Sequence, residues 1–226
     1  MSAPALDVLE KRVLEAKTLE TIRWALEQYP DLLMTSGFNL NGTVLIDLAV
    51  RAGFRGELVF IDTFSHFPET LQTRDDVAAR YPETTLTTLT PTLNPAVSEL
   101  PACGSANCCT VRKVEPLRAF LEAKRPSALL SARSRFQSET RAILNTVEDS
   151  GDYLKVNPLV DWTQKDLETY AKDFELPVNP LYWQGYLSIG CAPTTRAVHE
   201  GEDVRAGRWE GQDKTECGLW WGERAV

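Results

Sequence analysis

Short apolar runs of strand length alternate with segments of helical period through the first two-thirds of this 226-residue chain. Residues 32–38, 57–61, 84–89, 128–132 and 154–157 read as strands. Between and before them, residues 6–29, 43–52, 68–81, 109–123 and 138–144 read as helices, with Pro30 stopping the first and Pro68 opening the third. Such an order dictates a parallel sheet covered by helices on both faces, because a parallel neighbour needs a crossover. The expected fold is therefore α/β, a Rossmann-like sheet of about five strands, with ligands beyond the carboxyl ends of the strands. After about residue 176 the periodicity fades into loop text rich in Gly, Trp and charge. That part is expected to form a loop-rich lid ending in a mobile tail. The chain reads as one domain over 1–226, with an N-terminal helix within 1–30 and a tail over 200–226.

The net charge of −8 argues against broad binding to nucleic acid or to an anionic membrane. The charge is uneven, however. Residues 112–141 carry eight basic and three acidic groups, an island that suits either a local anion site or a solvated helix face. The first sixteen residues hold acids and no long apolar run, so neither a signal peptide nor a membrane span is expected there. Five cysteines, two of them adjacent at Cys108 and Cys109, make a poor disulfide framework. Thiols used for metal or redox chemistry in the cytoplasm fit better.

Three loops at one expected sheet edge carry anion-binding chemistry. The turn from Ser36 to Gly42 joins a strand to a helix, where exposed amides and hydroxyls can cradle phosphate, although it lacks the ending of a Walker loop. Asp62 and Thr63 close the second strand, suited either to a ribose or adenine contact or to a helix cap. Arg133 and Arg135 follow the fourth strand, with Gln137 and Arg141 close behind, and guanidinium forks suit phosphate or sulfate. Cys108 and Cys109 at a helix start, with Cys191 far along the chain, look like metal or cluster ligation or a pair of buried structural thiols. Cys217 stands in a polar, Gly-flanked stretch after Lys214 and reads as a nucleophile. His66 and His199 are the only imidazoles and neither adjoins a cysteine, so a Cys-His hydrolase is disfavoured.

Taken together, VFIDTFSHFPET, CCTVRKVEPL, KVNPLVDWTQKDLETY, LPVNPLYWQGYLSIGCAPTTRAV and GEDVRAGRWEGQDKTECGL resemble text of the adenylyl-sulfate/phosphoadenylyl-sulfate reductase family, of the adenine-nucleotide PP-loop fold. The resemblance runs over about residues 30–220. It implies an assimilatory reductase whose tail thiol, here Cys217, attacks the sulfur of activated sulfate. A thiosulfonate forms, the nucleotide leaves, and thioredoxin or glutaredoxin thiols release sulfite. It further implies that Ser36, Phe38 and Asn39, Asp62 and Thr63, Arg133, Arg135 and Gln137, and Lys214 bind the substrate.

The adjacent cysteines resemble the branch that carries a 4Fe-4S cluster and acts on adenylyl sulfate. The implied ligands are Cys108, Cys109 and Cys191, with Thr194 where that branch has its fourth cysteine. That leaves a labile three-cysteine cluster, a cluster completed by another ligand, or no stable cluster. Cys103, five residues before Cys108, substitutes only if the loop rearranges. Other departures are Phe64 for a glycine, the arginine loop opening on Ser131-Ala132, and Trp220 for a histidine. Adenylyl sulfate going to sulfite and AMP is the leading expectation. The alternatives are phosphoadenylyl sulfate going to sulfite and adenosine 3′,5′-bisphosphate, or an attenuated nucleotide-binding relative. A PP-loop adenylating enzyme is a further class, disfavoured because the turn Ser36-Gly37-Phe38-Asn39 lacks that class's loop pattern. No nucleic-acid or membrane partner is expected, and a homo-oligomer is allowed.

Overall fold

The computed structural model describes residues 3–92, 99–212, 214 and 216–219, with the side chains of 3–8 left out. Among these residues the chain runs α1 (Ala3–Gln28), β1 (Leu33–Thr35), α2 (Leu40–Ala52), β2 (Glu57–Ile61), α3 (Pro68–Arg80), β3 (Thr85–Leu89), α4 (Glu115–Lys124), β4 (Ala128–Leu130), β5 (Val147–Asp149), β6 (Leu154–Val156) and α5 (Gln164–Asp173). The sheet order is β3-β2-β1-β4-β6-β5, parallel except for β5 against β6. The expected α/β architecture is therefore present, with one additional antiparallel edge strand. The order reverses between β1 and β4, so the loops leaving those two strands open a crevice at the carboxyl edge.

Helices cover both faces. On one side Ile22 and Ala25 of α1, Val44, Leu45 and Leu48 of α2, and Leu167, Tyr170 and Ala171 of α5 pack on Met34, Leu58, Leu130 and Val156. On the other, Leu117 and Leu121 of α4 pack on Leu33, Val59 and Leu129. Alternate strand residues thus feed opposite cores, which fixes the register of the sheet. A buried carboxylate ties the first layer together. Asp47 of α2 accepts hydrogen bonds from Tyr81 Oη at 2.8 Å and Tyr170 Oη at 2.5 Å, joining α2 to the end of α3 and to α5.

Several boundaries move. The first strand shortens to Leu33–Thr35, and α2 starts at Leu40 because Asn39 caps it, its Oδ1 accepting from the Gly42 amide at 2.9 Å. The expected 138–144 helix is instead two short 3₁₀ turns at Arg135–Gln137 and Glu139–Arg141. Beyond α5 the lid is loop-rich as expected, held by short turns and by single bridges from His66 to Cys191 and from Thr195 to Arg208. No helix among the described residues is long and apolar enough to cross a membrane. Trp220 lies outside the described residues.

Candidate active site

A cavity of about 960 Å³ fills the crevice at the carboxyl edge of the sheet. Its floor is the β1–α2 turn, with Ser36, Gly37, Asn39 and Gly42. The Ser36 hydroxyl accepts the Phe38 amide at 3.0 Å, and a Cβ on Gly42 would lie 2.5 Å from that hydroxyl, so the tight turn requires a glycine there. Phe38 itself has φ 51°, and its ring is fully buried against Phe60. It contributes backbone to the turn while its side chain belongs to the core.

The opposite wall comes from the loop after β4, where Ser131, Arg133, Gln137 and Arg141 line the cavity. Arg133 is buried; its Nε donates to Ser131 Oγ at 3.2 Å and its guanidinium pairs with Glu148. Arg135 does not join this wall. Its guanidinium turns to the Leu144 carbonyl and to Asp161, and Arg135 and Asp161 are not among the residues that line the cavity. The basic island divides accordingly: Lys113, Arg133 and Arg141 face the cavity, whereas Lys124 and Arg135 pair with scaffold carboxylates. Asp62 and Thr63 also lie outside the lining. Asp62 Oδ1 accepts the Phe64 amide at 2.9 Å, and Thr63 Oγ1 meets Cys191 Sγ at 3.4 Å.

The lid closes the third side. Arg205, Arg208, Lys214, Glu216 and Cys217 line the cavity. Glu216 takes two hydrogen bonds from Arg141, at 2.9 and 3.0 Å, and one from Arg205 at 3.0 Å. The described part of the tail is thereby docked, and the thiol of Cys217 is brought into the same cavity as the phosphate-type turn. Arg205 is held down to about 10 by burial and by its neighbour Arg141. Arg208 is lowered too, chiefly by burial; Cys217, Cys191 and Cys109 act on it in the opposite sense. Its Nε has no hydrogen-bond partner among the described residues, and its Nη1 donates to Ser188 Oγ at 3.3 Å. A Cβ on Gly190 would collide with this guanidinium, so Gly190 makes room for it. Arg205 and Arg208 were not among the sequence candidates. They stand in a charged, aperiodic stretch, where nothing separates an inward-facing arginine from a surface one. His66 also lines the cavity. Its Nε2 lies 2.9 Å from the Ile61 carbonyl, burial lowers its pKa, and its buried Nδ1 has no partner among the described residues.

Behind this cavity the thiols converge. Cys108 and Cys109 have their sulfurs 3.9 Å apart, and both are buried, as is Cys191. Burial pushes Cys109 up, although Lys214 hydrogen-bonds it and Lys113 opposes the rise. Burial also pushes on Cys191, but Lys113, Thr63 and Cys103 together hold it below the ordinary thiol range. Lys214, expected on the substrate, thus bridges the cavity and the thiol cluster. Among the described residues no three Cys, His, Asp or Glu side chains close on a point sized for one metal ion. The donor set is nevertheless one that soft metals prefer, thiolates ringed by Lys113, Lys214 and Arg208.

The model of the phosphoadenosine phosphosulfate reductase domain matches residues 31–197. A curated adenosine 5′-phosphosulfate reductase of Deinococcus radiodurans is 56% identical over 94% of this chain and 85% of its own length. Another of that name from Anoxybacillus flavithermus is 40% identical over 91% and 90%. Among solved structures, a phosphoadenylyl-sulfate reductase of Candida auris in a phosphate complex superimposes with TM-score 0.69 at 29% identity, covering 87% of this chain and 98% of that one. An FMN adenylyltransferase of Candida glabrata, at TM-score 0.66 and 13% identity over 84% of this chain and 66% of that one, shares the fold.

Proposed function

The chain belongs to the phosphoadenosine phosphosulfate reductase family, a sulfate-reducing oxidoreductase, and from that premise we propose that it reduces adenylyl sulfate to sulfite and AMP through Cys217. The relatives named for adenosine 5′-phosphosulfate support this substrate over phosphoadenylyl sulfate. The observation that carries the reading is the meeting of Cys217, the β1–α2 turn and the Arg133–Arg141 wall in one cavity, with Glu216 pinned by Arg141 and Arg205.

The chemistry follows from these groups. The adenylate phosphate lies against the amides at the start of α2 and the Ser36 hydroxyl, where helix-terminal N–H groups favour an anion. The Cys217 thiolate attacks the sulfate sulfur, forming an S–S bond as the bond from sulfur to the phosphate oxygen breaks. AMP departs with the electron pair, and Arg133 and Arg141 offset the charge that builds on its phosphate. Arg208, buried and lining the same cavity as Cys217, sets a positive charge beside the attacking sulfur. A thioredoxin or glutaredoxin thiolate then attacks Cys217 Sγ and releases sulfite as a mixed disulfide forms. The partner's second thiol resolves that disulfide and returns Cys217 to the thiolate. Residues 1–226 act as one reductase domain with 200–226 as its tail, working in the cytoplasm.

Cys108, Cys109 and Cys191 fit a 4Fe-4S group by chemistry, burial and surrounding positive charge. Bound there, it would fasten the 103–109 loop to the Cys191 loop and set the negative charge that Lys113, Lys214 and Arg208 face.

Incubation with adenylyl sulfate and reduced thioredoxin tests the activity. Sulfite and AMP are expected in equal amounts. Cys217→Ser is expected to form no sulfite while still binding AMP. Absence of sulfite from a wild-type chain whose Cys217 remains open to alkylation overturns the proposal. A faster rate on phosphoadenylyl sulfate overturns the choice of substrate.

A further inference from the structure

We infer that Cys103 supplies the fourth thiolate of the cluster site, so that this chain holds its iron through Cys103, Cys108, Cys109 and Cys191. The inference rests on the cluster reading above and assigns the ligand that position 194, a threonine, cannot provide. A threonine hydroxyl is a far weaker donor to iron than a thiolate.

The loop before α4 brings Cys103 to the other three. Ser105 donates its amide to the Ala102 carbonyl at 3.0 Å, and Cys108 donates its amide to the Ser105 carbonyl at 3.2 Å. These turns fold residues 102–108 back on themselves. The Gly104 amide donates to Cys108 Sγ at 3.2 Å, and Gly104 takes φ 94°, a conformation that suits glycine. Cys103 interacts electrostatically with Cys191, Cys108 and Thr194. A Cβ on Gly104 would stand 3.2 Å from Thr194 Cγ2, so the loop carrying Cys103 lies directly on the residue that replaces the missing ligand.

One arginine locks the three pieces together. Arg112 Nε donates to the Pro101 carbonyl at 2.9 Å, two residues before Cys103. Its Nη1 donates to the Thr63 carbonyl at 2.6 Å, and the Thr63 hydroxyl touches Cys191. The Cys103 loop, the start of the α4 segment and the Cys191 loop are therefore held in one register by buried or half-buried groups. Of the five cysteines, only Cys217 stands apart, in the nucleophile's place.

The test is iron and acid-labile sulfide content, with the visible spectrum, of protein purified anaerobically and reconstituted with ferrous iron and sulfide. Four chains are compared: wild type, Cys103→Ala, Thr194→Cys and the double variant. Wild type and Thr194→Cys are expected to hold about four irons per chain, the complement of a four-thiolate cubane. Cys103→Ala is expected to fall to about three or fewer and to bleach faster in air. The double variant is expected to recover the wild-type content, which also separates ligand loss from misfolding. Circular dichroism of Cys103→Ala provides a second check on folding. Full iron in Cys103→Ala overturns Cys103 as a ligand while leaving the cluster reading intact. A loss that Thr194→Cys does not repair also overturns it, because the loss is then structural. A wild-type chain that takes up no iron overturns the ligand set and the cluster reading together.

Discussion

Phe64 occupies a backbone position that favours glycine. Its φ is 57°, its ring is 60% exposed, and the Asp62 carboxylate holds its amide in place. A left-handed conformation costs a residue with a Cβ roughly 1–2 kcal/mol, and a glycine there returns part of that through its freer unfolded chain. Because the ring packs little, Phe64→Gly is expected to stabilise the fold by about 1 kcal/mol. In a chain of this size that raises the melting temperature by about 2–4 °C, readable in a thermal melt. No change, or a drop, means that the ring contributes packing that outweighs the strain. The family resemblance implies a glycine at this position. Only the backbone shows that Phe64 takes the left-handed conformation a glycine adopts freely. At Ser131 the matter ends differently, since its hydroxyl accepts from Arg133 Nε and fits the cavity wall. Arg135 marks the limit of reading at this scale. Two arginines separated by one residue look equivalent in a sequence, yet the 3₁₀ turn starting at Arg135 sends that side chain to Asp161.

At the scale of elements, the central strands were legible because they are apolar runs, and their order follows from the helices that must cross between them. Two elements were missed for opposite reasons. Strand β5, Val147-Glu148-Asp149, is an exposed edge piece with no alternation, stabilised by its antiparallel pairing to β6. Helix α5 is polar on average, but Thr163 and Asp166 form a reciprocal cap, and its buried stripe is Leu167, Tyr170 and Ala171. That signal was present and a stricter search for caps finds it. Cys103 is visible in the sequence as a substitute thiol, but only at the expected cost of a loop rearrangement. Its approach to Cys191 without one is a tertiary fact, because the proline-rich loop before it has no period.

The tail is the element on which catalysis turns, and it is held by the Glu216 carboxylate between Arg141 and Arg205. Glu216→Gln keeps the shape and removes the charge that both guanidinium groups share. It is expected to lower sulfite turnover roughly ten- to a hundredfold by letting the nucleophile wander from its near-attack position. Alkylation of Cys217 in the free enzyme is expected to become faster in the same variant. Slower alkylation together with unchanged turnover means that Glu216 is not what docks the tail.

At the scale of the molecule, an acidic chain encloses a basic cavity whose three walls come from distant parts of the sequence: the β1–α2 turn, the β4 loop and the lid. A nucleotide that touches all three ties the lid to the sheet and stabilises only the folded state. Its effect on melting therefore measures binding to the assembled site rather than to any one loop. Ligand at a hundred times its dissociation constant adds about 2.7 kcal/mol, which for a chain of this length is a shift of roughly 5–10 °C. If adenylyl sulfate is the substrate, its product AMP is expected to raise the melting temperature at lower concentration than adenosine 3′,5′-bisphosphate does. The reason is physical: an added 3′-phosphate must find positive charge, but Arg133, Arg141 and Arg205 are engaged by Glu148 and Glu216, and Lys113, Lys214 and Arg208 stand beside the thiols. A second phosphate placed among them competes with those carboxylates and thiols for the same cations, so the extra charge brings little net gain. Parallel melts with the two nucleotides over matched concentrations and constant ionic strength decide the matter. A larger shift with the bisphosphate means that the cavity releases a guanidinium to it, and the substrate is then phosphoadenylyl sulfate.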